Sequence, residues 1–162
     1  MNNSLNVTRT ISTNPLSQLV IAVANNDDIY TAFESPFSAY KWTLNSTTIA
    51  SFDSTTCGLF IDINNTLYIS LRDKHKIVSR SLQSSSNVLT TVVGTGCSEN
   101  TANTLNGPLG IFVDTNFDLY VADGYNNRIQ LFRSGQQNAI TLVGNGSLNR
   151  PISIRIYLFL IV

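Results

Sequence analysis

Apolar and polar residues alternate along this chain over short runs, and the runs are separated by clusters of Asn, Asp, Gly, Ser and Thr. That period belongs to half-buried strands, since a helix would repeat its apolar positions every three to four residues. In the clearest stretch the pattern predicts four strands: Gly110 to Asp114, Asp118 to Ala122, Arg128 to Phe132 and Ile140 to Val143. Thr115-Asn116 supplies the turn between the first two, because Asn tolerates the left-handed backbone that tight hairpins require. Asp123-Gly124-Tyr125-Asn126-Asn127 plays the same part between the second and third. Helix should be nearly absent.

The chain also repeats itself. GLFIDINNTLYIS from Gly58 matches GIFVDTNFDLYVA from Gly110, 52 residues further on, and Asn64-Asn65 falls on the first turn. The same offset carries Lys76-Ile77 onto Arg128-Ile129, and a slightly shorter one carries Thr91 to Gly96 onto Thr141 to Gly146. A degenerate copy, LVIAVANNDDIYTA from Leu19, precedes them, with Tyr30 lying 38 residues before Tyr68. Units of this length with four antiparallel strands are the mark of propeller blades, which cover one another's faces. Strand centres are expected at Phe60, Tyr68, Val78 and Val92, and again at Phe112, Tyr120, Gln130 and Leu142. The division that follows is a leading segment 1–18, possible end of an earlier blade, a degenerate blade 19–56, a blade with its connecting loop 57–108, a third blade 109–150, and the start of a further, atypical blade 151–162.

Gly110-Ile111-Phe112-Val113-Asp114, then Leu119-Tyr120-Val121-Ala122-Asp123, then Asn126-Asn127-Arg128-Ile129 resembles the blade motif of NHL-repeat β-propellers at nearly every position. The second unit keeps the first half but carries Leu71-Arg72-Asp73-Lys74-His75-Lys76 where the polar turn should be, and the first keeps little beyond Asp28-Ile29-Tyr30. The resemblance covers roughly Leu19 to Ile154. It implies an all-β fold, a propeller of NHL-repeat type with about three four-stranded blades, and an incomplete propeller or fragment, because rings close with about four to eight blades. In the polar turn the Asn residues are expected to shape the backbone and the Arg to pair with a nearby Asp.

Blade geometry also predicts a disulfide. Cys57 precedes an inner strand and Cys97 follows the outer strand of the same blade. Inner and outer strands are separated by roughly 14 Å, three spacings of about 4.8 Å, and three extended residues returning inward recover roughly 10 Å. The pair would then fall inside the about 4.4–6.8 Å Cα window of a disulfide. Closing that 40-residue loop would contribute about 4 kcal/mol in the chain-entropy picture.

Composition narrows the function. Ten Lys plus Arg balance ten Asp plus Glu in 162 residues, so no field exists to steer a polyanion, and nucleic acid is not an expected partner. With 43% hydrophobic and 12% charged residues the chain is not of the disordered kind. Its longest apolar run, Ile156 to Val162, has seven residues against the about 20 that a spanning helix needs. No signal peptide is visible, while Asn-x-Ser/Thr triplets at Asn2, Asn6, Asn45, Asn64 and Asn145 point, with the expected disulfide, to a secreted glycoprotein.

Acid–base and metal chemistry has little to draw on: one histidine, His75, eight Asp and two Glu. Some relatives of the NHL architecture are metal-dependent lyases or hydrolases, which need two or three His from different blades. No catalytic residue, metal ligand set or cofactor is expected here. Asp62 and Asp114 close inner strands, where capping the next turn is the commoner use of Asp and calcium ligation the rarer. Gly94-Thr95-Gly96 and Gly144-Asn145-Gly146 read as strand exits, and Tyr30, Phe60, Tyr68, Phe112 and Tyr120 as packing between blades. What remains is a face. Arg72, Asp73, Lys74 and His75 from one blade adjoin Asp123, Tyr125, Asn126, Asn127 and Arg128 from the next, a recognition surface for a protein or glycan partner. The competing classes are a piece of a channel-centred hydrolase or lyase, and a degenerate fragment without function of its own.

Overall fold

The computed structural model describes residues 19–34, 37–42, 47–144 and 146–155. Among these, twelve strands form three four-stranded antiparallel sheets in meander order. The first holds β1 (Leu19–Val23), β2 (Ile29–Glu34), β3 (Phe37–Trp42) and β4 (Thr47–Ser51). The second holds β5 (Thr56–Ile61), β6 (Thr66–Leu71), β7 (Lys76–Ser81) and β8 (Thr90–Val93), and the third β9 (Pro108–Val113), β10 (Leu119–Asp123), β11 (Arg128–Phe132) and β12 (Ile140–Val143). The helical content described is two single 3₁₀ turns, Arg72–Lys74 and Gly124–Asn126.

All eight expected strand centres fall inside strands. The bounds differ where aspartates are concerned: Asp114 and Asp118 lie just outside β9 and β10, while Asp123 closes β10 instead of opening the turn. The reason is the hairpin. Asp114 Oδ1 accepts the N–H groups of Asn116 and Asp118 at 2.8 and 3.0 Å, and Asp62 Oδ1 accepts those of Asn64 and Thr66 at 2.9 and 2.8 Å. These aspartates therefore cap their turns, as expected of the residue type. The register also repeats. The outer strand pair slips at Ala39/Tyr40, at Ile77/Val78 and at Ile129/Gln130, equivalent positions in the three sheets.

Alternation in the middle sheet serves two cores. Leu67, Ile69 and Leu71 of β6 turn toward the first sheet, where Ala24, Ala32, Ala39 and Ala50 leave room for them. Tyr68 turns the other way, with Phe60 and Ile77, to meet Ile111, Val113, Leu119, Val121 and Phe132 of the third sheet. Strands apolar on both faces are what stacked blades require, since each sheet is covered twice.

The inner strands approach closely where glycine stands. A Cβ on Gly58 would lie 2.5 Å from the Leu109 carbonyl, and one on Gly110 would lie 2.6 Å from Ser153 Cα. Gly110 N–H also donates to the Ile152 carbonyl at 3.0 Å. The segment 151–155 thus stands to β9 as β9 stands to β5, although it forms no strand of its own. Residues 1–18 and 156–162, for which a leading segment and an atypical blade are expected, lie outside the described residues.

Candidate ligand-binding face

The loops expected to form a recognition surface are the two 3₁₀ turns. Each ends in a left-handed residue, His75 at φ 51° and Asn127 at φ 53°, whose N–H donates back to the carbonyl of the turn's first residue at 3.2 Å. Both side chains then reach the residue that leads into the next unit's innermost segment. His75 Nδ1 accepts Gly107 N–H at 3.1 Å, and Asn127 Oδ1 accepts Arg150 N–H at 2.8 Å. Two chemically different residues make the same clasp between successive units.

Asp123, Asn126 and Arg128 form one network. Arg128 Nε donates to Asp123 Oδ2 at 2.7 Å, with Asp123 fully buried and Arg128 8% exposed. Asp123 Oδ1 accepts Asn106 N–H at 2.6 Å, and Asn126 Nδ2 donates both to Asp123 Oδ2 and to the Glu99 carbonyl. The second guanidinium nitrogen serves the carbonyls of Thr101 and Thr104 at 2.8 and 3.0 Å. Buried Gln130 completes the set once its amide is assigned from the hydrogen-bond network: its oxygen then faces the guanidinium at 3.1–3.2 Å and its nitrogen donates to Thr141 Oγ1 at 2.6 Å. The Asp–Arg pairing is the one expected of the motif, and its use is to fasten the long connection before β9. A buried charge is tolerated only when paired and hydrogen-bonded in this way.

The second sheet has Leu71, Lys74 and Lys76 at the equivalent positions and solves the problem differently. Asp73 Oδ2 accepts Thr55 N–H at 2.9 Å, Arg72 N–H donates to the Thr55 carbonyl, and Arg72 Nη2 donates to Thr55 Oγ1 at 3.1 Å. Burial pushes the Asp73 carboxyl up, but the Thr55 hydrogen bonds and the Arg72 guanidinium outweigh it and hold it below its ordinary value. Lys74 pairs with Asp53 at 2.8 Å.

Tyr125 is what these contacts leave open. It is 48% exposed, its ring covers Gly107, and the Arg150 guanidinium carbon lies 5.2 Å from the ring centroid, within cation–π range. Beside it a cleft of about 280 Å³ is lined by Asn100, Asn126, Asn127, Arg128, Thr141 and Gly146. Arg150 escaped the sequence reading, yet a signal existed: Asn149-Arg150-Pro151 repeats Asn106-Gly107-Pro108 ahead of an inner strand.

Cys57 and Cys97 are not joined by a disulfide, which corrects the expectation. Cys57 is half-buried at the irregular step of β5, between Thr56 and Gly58, and Cys97 is exposed. The returning segment is not extended. Gly94 and Gly96 take φ of 86° and 91°, and Thr95 Oγ1 accepts Cys97 N–H at 3.3 Å, so the chain turns at the strand exit where an extended return was expected. Asn64 is exposed in the hairpin after β5, away from the 3₁₀ turns, while Asn45 and Asn145, with Asn2 and Asn6, lie outside the described residues. Among the described residues no group of three or more His, Cys, Asp or Glu could hold a metal ion, and no helix is long and apolar enough to cross a membrane.

No protein-family model matches the sequence, and neither does any curated protein. Solved structures do match. An auxiliary nutrient binding protein from Bacteroides ovatus superposes with TM-score 0.68 at 17% identity, covering 86% of this chain and 42% of its own. A chain of the nidogen/laminin complex gives 0.67 at 19%, covering 83% and 51%. Virginiamycin B lyase from Staphylococcus aureus, catalytically inactive and with quinupristin, gives 0.65 at 13%, covering 88% and 46%. The fold is that of a β-propeller. The three sheets are three blades, and the chain spans about half the length of these structures. At such identities the likeness is one of fold, and NHL-repeat character rests on the motif residues alone.

Proposed function

We propose that this chain is a non-enzymatic propeller scaffold that holds a protein or glycan partner on the face of its two 3₁₀ turns, in an extracellular setting. The observation that carries the reading is Tyr125. The other expected recognition residues are engaged elsewhere: His75 and Asn127 hold the segment that leads into the next unit, and Arg72, Asp73, Lys74, Asp123, Asn126 and Arg128 hold the connection that enters their own sheet, which supports a rigid face. A half-exposed aromatic braced by Arg150 on a rigid support has the composition of an interface anchor, since such side chains bury much area at small entropic cost. Similar folds in a nutrient binding protein and in a protein–protein complex favour a binding role. Sequon Asn64 lies away from that face and would leave it open if glycosylated.

A photo-cross-linking residue at position 125, with position 64 as control, tests the reading alongside a glycan array probed with the purified chain. A partner or glycan captured from position 125 only, and lost in Arg150→Ala, is the expected result. Equal capture from position 64, or array binding indifferent to Tyr125→Ala, would overturn it.

A further inference from the structure

At the opposite end of the blades, between the second and third, lies a cleft of about 270 Å³ lined by Phe60, Phe112 and Tyr120, with Asp62 and Asp114 beside them and Asn25 at its margin. Phe60 meets Phe112 edge-on at 5.1 Å, and Phe112 meets Tyr120 at 6.0 Å with the rings tilted by 57°. Asn25 Nδ2 donates to the Ile63 carbonyl at 3.0 Å, tying the first blade's hairpin to the second's.

The two carboxylates of this cleft have no ion-pair partner among the described residues, and the nearby Arg133 is paired with Asp118. Each carboxylate uses Oδ1 for its own turn, and each Oδ2 receives one long hydroxyl contact, from Tyr68 or Tyr120, at 3.3 Å. The ion pairs among the described residues join Lys41 to Asp28, Arg72 to Asp73, Lys74 to Asp53, Arg128 to Asp123 and Arg133 to Asp118. None includes Asp62 or Asp114, although Asp62 is only 4% exposed. Two carboxylates with acceptor capacity to spare thus share the cleft wall with three aromatic rings, whose faces are themselves electron-rich. Burial raises the Tyr68 and Tyr120 phenols and the neighbouring Asp charges raise them further, against a smaller opposing effect of Arg133 on Tyr120.

We propose that this cleft binds a small organic cation of the alkylammonium class, with Phe60, Phe112 and Tyr120 taking the alkyl groups and Asp62 and Asp114 the charge. The site is independent of the 3₁₀-turn face, so either reading can fail alone.

The test uses the full chain, with choline as probe and 3,3-dimethylbutan-1-ol as its neutral counterpart of the same shape, followed by NMR of the aromatic side chains. Saturable shifts at Phe60, Phe112 and Tyr120 are expected with choline, and binding of the neutral alcohol should be weaker by about tenfold, the order a desolvated cation–π contact supplies. Asp62→Asn with Asp114→Asn keeps the turn-capping oxygens and removes the charge, and should weaken choline by about the same factor at unchanged melting temperature. If that variant does not fold, the choline–alcohol comparison on the unmodified chain still decides. Equal binding of the alcohol, no saturable ring shift with choline, or shifts produced by calcium chloride alone would each overturn the proposal.

Discussion

At the scale of single residues, the structure converts polar side chains into fasteners. Asp123 carries a buried charge that Arg128 balances, so Asp123→Ala leaves a guanidinium 8% exposed without its carboxylate partner. A loss of about 3–5 kcal/mol is expected in urea unfolding; a loss below about 1 kcal/mol would show that water replaces the carboxylate readily. Tyr68 offers a second test. Burial, reinforced by the charge and hydrogen bond of Asp62, pushes its phenol from 10.0 up to about 12. A raised folded value means the neutral phenol is favoured in the fold. Its contribution is therefore fully present below pH 10 and is lost as the pH rises through about 12. Phenolate absorbance should show a late-ionising tyrosine that disappears in Tyr68→Phe, and a titration in which all tyrosines ionise together near pH 10 would contradict it.

At the scale of the element, the first hairpin of the second and third blades is built from one capping aspartate and one left-handed residue; in the first blade Ala24 stands where Asp62 and Asp114 do, and the three blades fill the left-handed position unequally. Asp27, Asn65 and Phe117 occupy it with φ of 63°, 56° and 64°. Asp and Asn accept that conformation at small cost, whereas a bulky aromatic is strained there. Phe117→Asn should therefore raise stability by roughly 0.5–1 kcal/mol despite some lost packing, read as a higher urea midpoint at constant slope. A lower midpoint would mean that packing of the half-buried ring outweighs the strain. The sequence announced these hairpins through Asn64-Asn65 and Thr115-Asn116. It did not announce that the turn aspartates also line a cleft, because Asp62 and Asp114 come from different blades and meet around Phe60 and Phe112 only when the inner strands pack.

For the whole molecule, the middle blade is, among the described residues, packed against a neighbouring sheet on each face. Leu67, Ile69 and Ile77 are fully buried there, whereas all four residues of β12 are exposed. Local opening follows that difference in burial. Amide exchange should be slowest in β6 and β7 and fastest in β12, with an ordering that survives in the Tyr125→Ala background. Comparable protection of β12 would mean that its outer edge is covered in solution.

What the sequence determined by itself is periodic and local. Alternation set the strands, the 52-residue offset set the blades, and turn chemistry set the hairpin caps, because each of these depends on a few neighbouring side chains and the backbone between them. Contacts between distant segments were left to the tertiary structure. Arg150 reaches Tyr125, His75 reaches Gly107, and Arg128 reaches Thr101 only after blades stack, since no local rule states which loop atoms will face one another. The cysteines show the limit most plainly. Their spacing across a blade permitted a bond, but the chain turns through left-handed Gly94 and Gly96 at the strand exit and leaves Cys97 exposed.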